Sequence, residues 1–114
     1  MLTIYHNPRC SKSRQTLALI EESNTPVTIV EYLKTPLSEE KIKQLLVLLK
    51  ISPIEMMRTK ESEFKEQNLA NASDDDLIQA MVNTPKLIER PIVEAQAKAV
   101  IGRPPENVLA LINS

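Results

Sequence analysis

Residues 2–31 read LTIYHNPRCSKSRQTLALIEESNTPVTIVE, and this stretch decides the fold. It begins with the alternating, β-prone run Leu2–His6 and ends with a second such run, Val27–Glu31. The segment between them, from residue 11 to about residue 23, is predicted to be a helix. Two strands joined by one helix form a βαβ unit, which requires parallel strands and a right-handed crossover.

The middle of the chain is predicted to be helical. Ser38 has the chemistry of an N-cap, and apolar residues follow it at helical spacing. A shorter helix is predicted from Ser52-Pro53, and a further helix begins at Ser73 or Asp74 and ends near Pro85. The apolar residues that we expect to face the core are Leu17 and Ile20 in the first helix, and Ile42, Leu45, Leu46, Leu49, Leu77, Ile78, Met81 and Val82 in the later ones.

The pattern changes after Arg90-Pro91. Residues 92–95 and 98–101 read as two strands separated by a tight turn, and Pro104-Pro105 opens a last helix. The predicted order is β-α-β, then a helical insertion, then β-β-α. This order is typical of an α/β, thioredoxin-like fold, with a four-stranded mixed sheet and flanking helices, and we expect one domain over residues 1–114.

Composition narrows the classes of function. The sequence is 42% hydrophobic and 25% charged, and its formal net charge is -1. A sequence with this balance has no excess of positive charge that would favour binding to nucleic acid. The sequence shows neither a membrane-length apolar run nor a signal peptide, so we expect a cytoplasmic protein without membrane contact. We also expect a monomer with no bound cofactor.

Cys10 is the single cysteine of the sequence, so an intrachain disulfide is excluded. It lies where the first strand ends and the first helix begins. The unpaired N–H groups of residues 11–13 and the helix dipole favour negative charge at such a position. Three cations lie close by in sequence, namely Arg9, Lys12 and Arg14. The pattern therefore predicts a thiol with a lowered pKa at a site that also attracts an oxyanion.

Four segments carry a family resemblance: HNPRCSKSR at residues 6–14, MMR at 56–58, LIERPIV at 87–93 and IGRP at 101–104. In order and spacing they resemble the glutaredoxin-coupled arsenate reductases, and the match covers essentially the whole chain. The resemblance implies a cysteine nucleophile that attacks arsenate and three arginines that bind the oxyanion. Carried over residue by residue, these are Cys10, Arg58, Arg90 and Arg103.

The resemblance also implies a cis Arg90–Pro91 bond and an external supply of electrons. Because the chain has one cysteine, the arsenic adduct must be resolved by another thiol. Glutathione and glutaredoxin are the reductants that the resemblance implies.

Two further residues are candidates for supporting roles. His6 either stabilises the thiolate, helps to protonate a leaving hydroxide, or packs at the strand end and binds backbone groups. Ser13 forms a Cys-x-x-Ser pattern with Cys10, so its hydroxyl either binds the thiolate or serves the helix N-terminus. With one histidine and one cysteine, we expect no zinc site.

Two other functions stay open at this point. Arg9 and Ser11 stand where better-known arsenate reductases carry smaller residues, which leaves room for a glutathione-linked thiol oxidoreductase with a different substrate. The other alternative is a non-enzymatic regulator of the Spx type, which binds RNA polymerase and shares the fold. Those regulators typically carry Cys-x-x-Cys, whereas this chain has Ser13 at the second position and all three arginines, which favours an enzyme.

Overall fold

The computed structural model describes residues 2–112, which divide into two compact units. One unit combines the residues up to Thr35 with those from Arg90 onward, and the other is Pro36–Glu89. The single domain expected over residues 1–114 stays a prediction. Within the described residues, every helix is too short or too polar to cross a bilayer.

The first unit contains a four-stranded mixed sheet. Its strands are β1 (Leu2–Tyr5), β2 (Val27–Val30), β3 (Ile92–Glu94) and β4 (Ala99–Ile101), in the spatial order β2-β1-β3-β4. β1 runs parallel to β2 and antiparallel to β3, and β3 pairs with β4 as an antiparallel hairpin. The predicted βαβ unit and hairpin are confirmed, with each strand one residue shorter than expected.

The helices that the structure describes follow the predicted order, with one addition. They are α1 (Ser11–Glu22), α2 (Glu39–Leu49), α3 (Ser62–Glu66), α4 (Asp74–Asn83) and α5 (Leu109–Ile112). The short helix predicted from Ser52-Pro53 is a single 3-10 turn at Pro53–Met56, and further 3-10 turns lie at Leu69–Asn71, Pro85–Leu87 and Pro105–Val108. The sequence did not predict α3, because five residues with a single buried apolar side chain, Phe64, carry no periodicity.

In the first unit, α1 packs against the turn that leads into α5. Their apolar faces meet residues of β1 and β3 in one core, made by Leu2, Ile4, Ile20, Val93, Val108 and Leu111. The prediction that Ile20 faces the core is confirmed, while Leu17 is half-buried against the same cluster. Helix α1 ends at Glu22 with Ser23 as its C-cap, and Asn24 then adopts a left-handed conformation with φ of 58°.

The second unit is helical, and its two longer helices begin at serine caps. The Ser38 hydroxyl accepts a hydrogen bond from the N–H of Lys41 (3.1 Å), and the Ser73 hydroxyl accepts one from the N–H of Asp76 (3.2 Å). The predicted start of this helix at Ser73 or Asp74 is confirmed, and the three aspartates at residues 74–76 form the first turn of α4. Helix α2 packs against α4. The predicted core residues of this unit are buried at Ile42, Leu45, Leu46, Leu77, Ile78 and Met81 and half-buried at Leu49 and Val82.

Gly102, the single glycine of the sequence, lies where α1 approaches the end of the hairpin. Its N–H donates to the carbonyl of Pro91 (2.9 Å). A Cβ atom on this residue would lie 2.5 Å from Oγ1 of Thr16 and 2.9 Å from Cγ of Pro91. The φ angle of Gly102 is not positive, so the position requires glycine for space and not for backbone conformation.

We predict that Gly102→Ala destabilises the protein by about 1–3 kcal/mol, the usual cost of overpacking a close contact. Urea unfolding followed by circular dichroism measures the change. Thr16→Ala removes the closest side chain, so the double variant Gly102→Ala/Thr16→Ala should recover part of the loss. Strictly additive effects of the two substitutions would contradict the proposed contact.

Candidate functional site

One end of the sheet gathers the segments that the sequence singled out. Tyr5 at the end of β1 lies opposite Val30 of β2 and Ile92 of β3, and Ile92 lies opposite Ile101 of β4. The chain therefore leaves β1, β2 and β4, and enters β3, at the same end. Four of the predicted site residues belong to these connections, namely His6, Cys10, Arg90 and Arg103.

Local hydrogen bonds fix the loop that precedes Cys10. The N–H of Arg9 donates to Oδ1 of Asn7, and the N–H of Cys10 donates to the Asn7 carbonyl, both at 3.0 Å. Nη1 of Arg14 donates to the carbonyl of Pro8 (3.0 Å). Cys10 itself is the N-cap residue of α1, with extended backbone angles. This turn places the cysteine sulfur at the N-terminus of a twelve-residue helix.

The Cys10 thiol is free and only 8% exposed. Burial by itself raises the pKa of Cys10, but the N–H groups of Ser13 and Lys12 and the charge and hydrogen bonding of Arg90 outweigh burial and lower that pKa below its ordinary value. The N–H groups of Ser13 and Lys12 act as hydrogen-bond donors to the thiolate at the N-terminus of the helix. The pKa of Cys10 is shifted in the direction that the sequence predicts, but the cation with the largest effect is Arg90 and not a cation of the loop.

Arg90 has two side-chain donors without a partner. Its Nε and Nη1 atoms are buried, and neither has a hydrogen-bond acceptor among residues 2–112. Leaving a buried donor unpaired costs about 1–3 kcal/mol, and more when the group is charged. Unpaired donors of this kind are therefore expected where a ligand binds. The bond from Arg90 to Pro91 is cis, as the resemblance implied.

Arg103 lies beside Arg90 because of the hairpin register. One step beyond the pair Ile92–Ile101, the N–H of Gly102 donates to the Pro91 carbonyl. Arg103 follows Gly102, and its Nη1 donates to the Arg90 carbonyl at 3.4 Å. The Arg103 side chain is exposed. Two arginines and the thiol are thus brought to one end of the first unit.

His6 and Ser13 form a buried pair behind the loop. Nδ1 of His6 lies 2.6 Å from Oγ of Ser13, and the same Oγ accepts a hydrogen bond from the N–H of Asn7 (3.0 Å). Because the Ser13 hydroxyl oxygen accepts from Asn7, its O–H can donate to Nδ1 of a neutral His6. The Ser13 hydroxyl therefore serves His6 and Asn7, while its backbone N–H acts on the Cys10 sulfur.

The pKa of His6 lies below its ordinary value. Burial is the main cause, and the charge of Arg14 lowers the pKa further, while Glu31 and Glu21 oppose both effects. His6 is consequently neutral at neutral pH. A neutral imidazole braced by Ser13 fits a structural role in the loop.

Arg58 belongs to the second unit. Its N–H donates to the carbonyl of Leu87 (2.7 Å), next to an isolated bridge between Met57 and Ile88. Its guanidinium is paired with Glu61 and lies 3.8 Å, Nε to Oε1, from Glu89. The joint action of Arg58 with the thiol stays a prediction.

A sequence model of the ArsC family matches residues 5–111, almost the entire chain. The chain belongs to the ArsC family. The resemblance drawn from the four sequence segments is thereby confirmed at the level of the family. The coupling of this ArsC chain to glutaredoxin remains a prediction.

Individual relatives agree with this assignment. The uncharacterized protein YfgD of Escherichia coli is 54% identical over 112 residues, which are 96% of this chain and 94% of the relative. An arsenate reductase of Haemophilus influenzae is 45% identical over 112 residues, 96% of this chain and 97% of the relative. The solved structure of an arsenate reductase from Vibrio cholerae has a TM-score of 0.92 and 49% identity, and the match covers 96% of this chain and 95% of that one. The predicted thioredoxin-like α/β fold is confirmed.

Two features of this ArsC site were not predicted from the sequence. The Arg103–Pro104 bond is cis, like the Arg90–Pro91 bond. Gly102 admits the close approach of Thr16. The sequence did contain a signal for the second cis bond, because two Arg-Pro pairs flank the hairpin, at residues 90–91 and 103–104.

We predict that the rate of Cys10 alkylation by iodoacetamide has a pH midpoint below the ordinary thiol value of about 8.5. Arg90→Gln should raise that midpoint, because the cation with the largest effect on the thiol is removed. Arg9→Gln is the matched control, since Arg9 is the exposed neighbour of Cys10 in sequence, and its effect should be smaller. Equal shifts in both variants, or a wild-type midpoint at or above about 8.5, would contradict this account.

We predict that His6 makes the stability depend on pH below about 6.5. Because its pKa is lowered in the folded state, the unfolded chain binds the proton more readily, so stability falls as the pH drops below the unfolded value. The slope should not exceed about 1.4 kcal/mol per pH unit for one proton. Urea unfolding at pH 7.0, 6.5, 6.0 and 5.5 in His6→Gln should give a flatter dependence than in the wild type, and an unchanged slope would contradict the prediction.

Proposed function

We propose that the protein is an arsenate reductase in which Cys10 is the nucleophile. The observation that carries the proposal is a thiol with a lowered pKa beside an arginine that has two buried, unpaired donors. A nucleophile and an anion-binding group at one place are what attack on an oxyanion requires. Family membership and the names of the relatives from Haemophilus influenzae and Vibrio cholerae support the choice of arsenate.

Charge repulsion is the barrier that the arginines must offset. Two unit charges about 4 Å apart repel by roughly 4 kcal/mol at an effective dielectric constant near 20, and arsenate near neutral pH is largely a dianion. A thiolate approaching it without cations would be slowed by several orders of magnitude. The planar fork of an arginine donates two parallel hydrogen bonds to one oxyanion, so Arg90 and Arg103 suit this task, and Arg58 is proposed as the third member.

The chemistry consumes two thiols for each arsenate. The Cys10 thiolate attacks arsenic and forms a sulfur–arsenic bond, and an arsenic–oxygen bond breaks as that oxygen takes up protons from solvent and leaves as water. A glutathione thiolate then attacks the Cys10 sulfur, the sulfur–arsenic electron pair stays on arsenic, and arsenite leaves. The product on the protein is a mixed disulfide between Cys10 and glutathione, so two electrons have passed from sulfur to arsenic.

Glutaredoxin is proposed to regenerate the enzyme. Its thiolate attacks the glutathione sulfur of the mixed disulfide, and the Cys10 thiolate is the leaving group. The single cysteine of the sequence supports an external thiol for this step. A cytoplasmic, monomeric protein without a bound cofactor fits this cycle and is part of the proposal.

The test is arsenite formation by the purified protein with arsenate, glutathione and glutaredoxin. Cys10→Ser should abolish the activity. Arg90→Ala should lower kcat/KM by roughly 30- to 1000-fold, the usual effect of removing a donor that stabilises developing charge. Arg90→Lys should recover only part of that loss, because an ammonium cannot reproduce the fork.

Lys98→Ala is the matched control, since it removes an exposed cation at the hairpin turn and should leave kcat/KM unchanged. Arsenite formation by Cys10→Ser at the wild-type rate would refute the role of Cys10. A normal kcat/KM in Arg90→Ala would refute the oxyanion assignment. If the wild type forms mixed disulfides but no arsenite, the protein is a thiol oxidoreductase with another substrate.

A further inference from the structure

A groove with a volume of about 190 Å³ lies beside the nucleophile loop, within the first unit. One wall is the loop of residues 6–9, and the other is formed by Glu31, Leu33 and Lys34, which follow β2. We call this cavity the loop groove. None of the catalytic steps described above uses it.

The loop groove is close to Cys10 for a topological reason. The last residues of β1 and β2, Tyr5 and Val30, lie opposite each other in the parallel pair, and the N–H of His6 donates to the Val30 carbonyl (2.8 Å). The two walls therefore rise from the same end of neighbouring strands. Arg9, at the end of one wall, is bonded directly to Cys10.

The walls carry two cations, one carboxylate, and the apolar side chains of Pro8 and Leu33, and the lining is completed by His6 and Asn7. Arg9 is exposed, and its guanidinium has no ion-pair partner among residues 2–112. Nζ of Lys34 lies 3.5 Å from Oε1 of Glu31, in a pair whose side chains are 80% and 40% exposed. Leu33 is 46% exposed and offers an apolar contact within the groove. Such a set matches a small zwitterionic molecule with an excess of negative charge.

We propose that the loop groove docks glutathione, the thiol that resolves the Cys10 adduct. Glutathione has two carboxylates and one ammonium, which match the two cations, Arg9 and Lys34, and the carboxylate of Glu31. The groove is smaller than a whole tripeptide, so it receives the γ-glutamyl end, whose carboxylate and ammonium meet Lys34 and Glu31, while the glycyl carboxylate at the other end pairs with Arg9 at the rim. This inference rests on the proposed function in its use of glutathione as the reductant.

We expect the loop groove to raise the rate at which glutathione reacts at Cys10 and to favour glutathione over other thiols. The effect on the equilibrium affinity for glutathione should be smaller. Exposed ion pairs contribute little binding free energy, whereas charges at the rim of a site steer an oppositely charged ligand and raise its association rate. The preference should weaken as salt is added, because the Debye length shortens. A neutral thiol should gain nothing from the groove.

The test follows disulfide exchange at Cys10 without arsenate. Cys10 is first converted to a mixed disulfide with 2-thiopyridine, by reaction with the uncharged reagent 2,2'-dithiodipyridine. A thiolate then attacks the Cys10 sulfur, a new sulfur–sulfur bond forms, and 2-thiopyridone leaves and is measured by its absorbance. The two thiols compared are glutathione and its diester, in which both carboxylates are blocked. Each rate is divided by the rate of the same thiol with a small pyridyl disulfide.

We expect the wild type to prefer glutathione over the diester by roughly 3- to 10-fold at low salt. Arg9→Gln and Lys34→Gln should each bring the ratio closer to one. Lys98→Gln is the matched control, since it removes the same charge from the same unit outside the groove, and it should keep the wild-type ratio.

A ratio near one in the wild type would overturn the inference, and so would an equal loss of preference in Lys98→Gln, which would indicate a general charge effect. Because arsenate is absent, the outcome is independent of the arsenate reductase assay. A clear preference together with no arsenite formation would keep the groove and reject the proposed function. Arsenite formation without a preference for glutathione over its diester would keep the proposed function and reject the docking of glutathione in the loop groove.

Discussion

The interaction on which the rest of the site depends is the contact between the Cys10 sulfur and the Arg90 guanidinium at the N-terminus of α1. A buried thiol resists ionisation, because burial removes the water that would stabilise its charge. The helix N–H groups and the guanidinium compensate for that loss and make the thiolate available. The same guanidinium keeps two buried donors unpaired, so one side chain can both ionise the nucleophile and receive the anion that it attacks.

That contact is set by the sheet and not by the loop. β1 leads into the loop that ends at Cys10, and β3 begins directly after Arg90-Pro91, with Tyr5 opposite Ile92. The hairpin then brings Arg103 to the Arg90 carbonyl. Gly102 lets α1 approach this end of the hairpin, where a side chain would collide with Thr16. A site whose groups rest on strands and a helix is held more rigidly than one built from loops alone.

Much of this architecture could be predicted because its signals are local. Alternating runs gave the strands to within one residue, and Ser38 has the cap chemistry that starts α2. The origin of the charge at the thiol could not be predicted in the same way. Closeness in sequence pointed to the cations of the loop, but side-chain contacts follow the strand register, and the register brings Arg90 to the sulfur.

The direction in which a side chain points was the second feature that could not be predicted from the sequence. The Cys-x-x-Ser spacing left open where the Ser13 hydroxyl points, and the structure directs it to His6 and Asn7. Short elements such as α3 carry too few residues for a period to be recognised. The motif that named Arg58 as a site residue says nothing of its carboxylate partners, Glu61 and Glu89.

The most direct test of the central claim is protection of the Cys10 thiol by an oxyanion. The rate of alkylation by iodoacetamide is measured at fixed pH and ionic strength with increasing arsenate, in the wild type and in Arg90→Gln. If Arg90 holds the anion against the thiol, arsenate slows alkylation of the wild type in a saturable way, and Arg90→Gln loses most of that protection. Alkylation that is indifferent to arsenate in the wild type, or equally protected in both proteins, would contradict the account.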